Sequence, residues 1–139
     1  MFPGRGQFPA QLTRSPNLWD DANREKGGFM PHYLHQIAYT SDSWKSLVAQ
    51  PQNRVEVVKQ SIEKLGGKVI AGFMAFGEYD VVVITEMPDQ ISAAGIAIAF
   101  ASGGACKSVQ TTPLLSQDEA LQAMKKASES GYRPVPRAA

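Results

Sequence analysis

KVIAGFMAFGEYDVVVITEM, residues 68–87, decides the fold. Two apolar runs, Lys68 to Phe76 and Tyr79 to Met87, flank Gly77-Glu78, and both are rich in the β-branched and aromatic residues that favour strands. A glycine opening a two-residue connection predicts a type II′ hairpin, whose twist matches that of the strands it joins. Gly77, Glu78 and Asp80 are then structural turn residues. Such a hairpin fixes the register of half a sheet, with Phe76 opposite Tyr79 and Ala75 opposite Asp80. The Tyr79 and Asp80 side chains therefore leave on opposite faces. The hairpin speaks of architecture and discloses no reaction.

The other elements follow on either side. His32 to Thr40 reads as a strand. A helix begins near Asp42 or Ser43, breaks at Pro51, resumes with Val55, Val58, Ile62 and Leu65 on one face, and stops at Gly66-Gly67. Pro88-Asp89 opens a helix through Ile91, Ala94, Ile98 and Ala101 that closes at Gly103-Gly104. Ala105 to Leu115 reads as the last strand, and Ser116 with Glu119 forms a capping box for a short helix carrying Leu121 and Met124. The order βαββαβ plus one helix predicts an α+β, ferredoxin-like fold. In it a four-stranded antiparallel sheet carries both main helices on one face.

A sheet with one wet face should alternate apolar and polar residues. The hairpin strands do not: Val69, Ile70, Ala71, Phe73, Met74, Ala75 and Phe76 are followed by Val81, Val82, Val83 and Ile84. The face without helices therefore needs a cover. The same face of a second copy, related by a two-fold axis, supplies one and predicts a dimeric α/β barrel. We expect Met74, Phe76 and Tyr79 on that outer face, with Phe73, Val82 and Ile84 under the helices.

Composition narrows the function classes. The 139 residues are 43% hydrophobic and 19% charged, with a net charge of +1, values ordinary for one soluble domain. Residues 31–129 carry eight basic and ten acidic groups, so no broad positive field invites nucleic acid or an anionic membrane. No apolar stretch reaches the roughly 18 residues of a membrane span. Cys106 is the single cysteine, which excludes an internal disulfide and suits a cytoplasmic location. Residues 1–29, rich in Gly, Pro, Arg and Asn, read as an extended or disordered arm. Residues 30–130 read as the folded domain, and 131–139, with Pro134 and Pro136, as an extended tail.

The order of elements and the Gly77-Glu78-Tyr79-Asp80 turn resemble the GYD domain family of bacteria and archaea. The resemblance covers roughly residues 32–120. It includes Arg54, Leu65-Gly66-Gly67-Lys68, the run to Val83, Pro88-Asp89, and Thr111 with Thr112. It implies a dimeric α/β-barrel fold and leaves the biochemical role largely unassigned. A second likeness is to the ligand-sensing domain of feast/famine regulators, which also carries a glycine-to-Asp hairpin. No helix-turn-helix segment here matches their DNA-binding half.

Several residues could carry chemistry. His35, Tyr33, Ile37 and Tyr39 share one strand face, an aromatic set that lines a ligand cavity or fills a core. We place a candidate small-molecule site between the helix-free faces of two subunits, formed by His35, Tyr39 and Tyr79 with Arg54 at its mouth. Arginine is suited to clamp a carboxylate. The ordinary readings are that Asp80 accepts backbone hydrogen bonds, Tyr79 packs on Phe76, and Cys106 fills core space. His32 and His35 point to opposite faces, so no metal site is expected, nor any cofactor. Two function classes follow. One is a homodimeric small-molecule binder, with cofactor-independent catalysis in the inter-subunit cavity as one use. The other is a non-catalytic structural or assembly module. The residues leave open whether any reaction is catalysed.

Overall fold

The computed structural model describes residues 30–138, so the arm expected over residues 1–29 lies outside the described residues. The elements are β1 (His32–Tyr39), α1 (Ser41–Ala49), α2 (Arg54–Lys64), β2 (Lys68–Met74), β3 (Val81–Glu86), α3 (Gln90–Ser102), β4 (Cys106–Leu114) and α4 (Gln117–Glu129). The strands form one antiparallel sheet in the order β2-β3-β1-β4, the ferredoxin-like arrangement. Each helix starts at a side-chain cap. The oxygen of Asn53 accepts from the Val55 and Glu56 amides, Asp89 accepts from Ser92, and Ser116 with Glu119 closes the capping box. The cap of α1 is Thr40, just before the expected position. Its hydroxyl takes the Ser43 amide, which frees the Ser43 hydroxyl to donate to the Ala105 carbonyl at 2.7 Å.

The core lies between the sheet and the pair α2 and α3. Tyr33, Ile37 and Tyr39 of β1 and Val81 and Val83 of β3 meet Val58, Ile62, Ala93 and Ile96 from the helices. Register settles which face is which. His35 pairs with Val83 and Ile37 with Val81, whereas Leu34 pairs with Ile84 and Gln36 with Val82. On the other side, Met74 pairs with Val81 and Phe73 with Val82. Phe73, Val82, Ile84 and Leu34 therefore share the helix-free face, and Met74 lies on the helix side. This inverts the expected assignment. The grouping of Phe73, Val82 and Ile84 holds and only the face is exchanged, because the β1–β3 register sets Val81 and Val83 with Ile37 and His35 under the helices; within β2 an irregularity between Val69 and Ala71 makes Ile70 an extra residue that reverses side-chain parity. Gly72 confirms it, since a Cβ there would come within 2.7 Å of the Val55 side chain on α2.

The hairpin is looser than expected. The strands end at Met74 and Val81, although the Ala75 amide still donates to the Asp80 carbonyl at 2.8 Å. Gly77 has a positive φ of 158°, far from the roughly +60° that opens a II′ turn, so that turn is not formed. Glu78 is exposed beside it, and Phe76 is fully exposed. Residues 131–138 are in neither helix nor strand and are exposed. Apolar surface is left uncovered at Val48 on α1, at Ile91 and Ile98 on α3, and at Leu121 and Met124 on α4, which buries none of its residues.

Candidate functional site

Asp80 is a structural anchor reaching across 41 residues of sequence. Its Oδ2 accepts the Tyr39 backbone N–H at 2.8 Å and the Trp44 Nε1–H at 3.3 Å. One carboxylate thus fastens the end of β1 and the start of α1 to the hairpin, and Trp44 stands edge-on to the Tyr39 ring at 5.6 Å. Tyr79 leaves toward the other face, as expected. Its hydroxyl donates to Gln110 Oε1 at 2.6 Å, and Gln110 pairs with Gln36 in the helix-free layer. Tyr79 does not pack on Phe76, because the polar tip finds a better partner across the sheet.

His35 is fully buried on the helix side, not on the helix-free face. Nδ1 lies 3.0 Å from Thr111 Oγ1 and Nε2 lies 3.0 Å from Thr85 Oγ1. A neutral imidazole fills this slot, donating through one nitrogen and accepting a hydroxyl proton at the other. The Phe100 ring meets it edge-on at 6.2 Å. Burial lowers its pKa to about 4, so it is neutral at pH 7 and closed to a substrate.

Tyr39 also faces the helices, as the strand period places it with His35. Its side chain borders a cleft between α2 and α3 above the β1–β4 edge, with a volume of about 270 Å³. Arg54 from the first turn of α2 and Cys106 from the start of β4 border the same cleft, with Ser61 further along α2. The apolar walls include Ile37, Val58, Ile96 and Phe100. Burial raises the pKa of the Tyr39 hydroxyl, against the hydrogen bond and charge of Arg54. Burial likewise raises that of the Cys106 thiol, and Arg54 again opposes it.

Of the four candidate ligand residues, the structure brings Tyr39 and Arg54 together and separates both from Tyr79, while His35 lies buried beneath. Their shared site between helix-free faces is thus not the one the fold builds. Reading by sequence overlooked Gln110, Trp44 and the closeness of Cys106 to Arg54. The strand register could have signalled the last, because Cys106 pairs with Tyr39. Among the described residues, no three His, Cys, Asp or Glu side chains are placed to hold a metal ion. Among the same residues, no helix is long and apolar enough to cross a membrane.

The glutamine synthetase and cystathionine beta-lyase binding protein of Thermus thermophilus is 31% identical over 81 residues, covering 58% of this chain and 84% of that protein. Among solved structures, MtbAldR superposes with a TM-score of 0.47 at 11% identity, over 67% of this chain and 58% of that one. A transcriptional regulator of Neisseria meningitidis solved with L-Met gives 0.44 at 14% identity, over 78% and 71%. Residues 33–124 match the GYD domain, and the chain belongs to the GYD domain family.

Proposed function

We propose that this chain is a non-catalytic binding module, active in the cytoplasm as a homodimer closed through the helix-free sheet faces, which holds partner enzymes on its outer surface. One observation carries the reading: Leu34, Phe73, Val82 and Ile84 form an apolar layer with no helix over it, and Phe73 is 67% exposed. A two-fold axis sets such a layer against itself and removes it from water. Ile91 and Ile98 on α3, outside the sheet interface, remain for another protein. The Thermus relative, which binds two enzymes by its name, supports an enzyme as that partner. Burial of His35 argues against it as a base, and no cofactor is needed.

A second reading rests on the Tyr79–Gln110 pair. These polar groups border the same apolar layer and would orient a small ligand between two sheets. Sedimentation of the full chain at micromolar concentration tests the dimer, which Phe73→Glu should dissociate. Titration with glutamine synthetase of the same organism then tests the partner, with Ile98→Glu expected to lose binding while remaining dimeric. A folded wild-type monomer overturns the first claim, and Ile98→Glu binding as tightly as wild type overturns the second. Retention of a small molecule by wild type but not by Tyr79→Phe favours the second reading.

A further inference from the structure

The cleft between α2 and α3 is separate from the sheet face and asks for its own explanation. Arg54 is half-buried at its edge, and its partners there are neutral, Gln52 Oε1 at 3.0 Å and the Tyr39 hydroxyl. A guanidinium against an apolar wall is poorly hydrated and gains most from an anion that accepts two of its N–H groups. The buried Tyr39 hydroxyl, which interacts with that guanidinium, offers a further donor. Behind these polar groups the walls are Ile37, Val58, Ile96 and Phe100. Ligand sites share this combination of a concave apolar volume and a few convergent polar groups. At about 270 Å³ the volume lies just under the range usual for drug-sized ligands, which begins near roughly 300 Å³. A nucleotide is too large.

We propose that this cleft binds a small organic monocarboxylate with a compact apolar tail. The carboxylate is held by Arg54 and Tyr39, and the tail lies against Ile96 and Phe100 next to Cys106. A phosphate suits the site less well, because no second cation lines the cleft and the walls beyond Arg54 are apolar. The site exists within one subunit and does not depend on the dimer.

The test uses the full chain with two probe acids, isovalerate and phenylacetate, and the neutral phenylacetamide as control. Binding is followed by chemical-shift perturbation and by protection of Cys106 from alkylation with iodoacetamide. Cys106 is the single thiol of the chain, so protection reports on this cleft rather than on the groove where Arg54 meets Trp44 and Met74. At least one acid should bind in the millimolar range and protect Cys106, and phenylacetamide should do neither. Arg54→Gln should weaken binding at least tenfold, and Tyr39→Phe severalfold, both with an unchanged unfolding midpoint. Failure of both acids to bind at millimolar concentration overturns the proposal. So does equal binding of the amide, binding unaffected by Arg54→Gln, or binding that leaves Cys106 as reactive as before.

Discussion

Lowering the pH from 7 to 5 should destabilise this protein through His35, which burial holds neutral. The imidazole titrates near 6.5 in an unfolded chain and at about 4 in the folded one, where burial opposes its charge. Between those values the unfolded state binds a proton that the native state refuses, so stability rises with pH. The stabilisation is fully present above about 6.5 and disappears as the pH falls toward 4. The two pKa values differ by about 2.5, which at ~1.4 kcal/mol each gives a full effect of about 3.5 kcal/mol. Over the accessible window from pH 7 to 5 the expected loss is about 1.8 kcal/mol. The nearest groups to the ring, Thr85, Thr111, Tyr33 and Phe100, hold no charge that would offset it. Urea unfolding of wild type and His35→Gln at pH 5, 6 and 7 isolates the contribution. The variant starts less stable, since it forfeits buried hydrogen bonds, but its stability should vary less with pH by that same amount. Parallel pH profiles for the two proteins would refute the assignment of His35 as a buried neutral group.

Further outcomes follow from single contacts. Asp80→Ala leaves the Tyr39 amide and the Trp44 indole without their acceptor and should cost about 2–3 kcal/mol in urea unfolding, with loss of the near-UV signal of Trp44. Gly72→Ala drives a methyl into Val55 and should cost about 1–3 kcal/mol, whereas a cost near zero would show that α2 can ride outward. Met74→Lys, on the half-exposed helix side, should remain a folded dimer by sedimentation, in contrast to Phe73→Glu. Gly77→Val should cost about 1 kcal/mol through its backbone alone, because nothing lies within 4 Å of the added side chain. A Gly77→Val protein as stable as wild type would remove that argument.

Element order was legible in the sequence because caps, glycine stops and strand runs are local signals. Thr40, Asn53, Asp89 and Ser116 each start a helix through a bond made within three residues. Face assignment was not legible. Val81, Val82, Val83 and Ile84 are interchangeable to a period-two reading, and Ile70 shifts β2 by one residue without leaving a glycine or proline to mark it. In β1 the alternation was correct, and Tyr33, His35, Ile37 and Tyr39 do share a face. That face is the one under the helices, a fact that depends on the β1–β3 register and not on β1 itself. The candidate residues are parted accordingly, with Tyr39 and Arg54 on the cleft between α2 and α3, Tyr79 toward the helix-free face and His35 buried. A polar tip on a hidden face suggested a ligand, but His35 finds two threonine hydroxyls from neighbouring strands, which only pairing brings near.

The turn that identifies the family is therefore chiefly a fastening, and its link to any ligand runs through Tyr39. Asp80 holds the backbone amide of that residue, while the phenol of the same residue borders the cleft beside Arg54. Fixing one end of a side chain's backbone fixes where its other end can point, so Asp80 is a positioning residue for the cleft without touching it. Asp80→Asn keeps an oxygen acceptor but loses the charge, and should weaken monocarboxylate binding a few-fold along with a modest loss of stability. Tyr39→Phe should weaken binding with little loss of stability, since its backbone amide and its ring packing are unchanged. If both act through the phenol, the double variant binds no more weakly than Tyr39→Phe alone, because the hydroxyl that Asp80 positions is already gone. Fully additive losses in that cycle would mean that Asp80 shapes the cleft by another route, through Trp44 and α1.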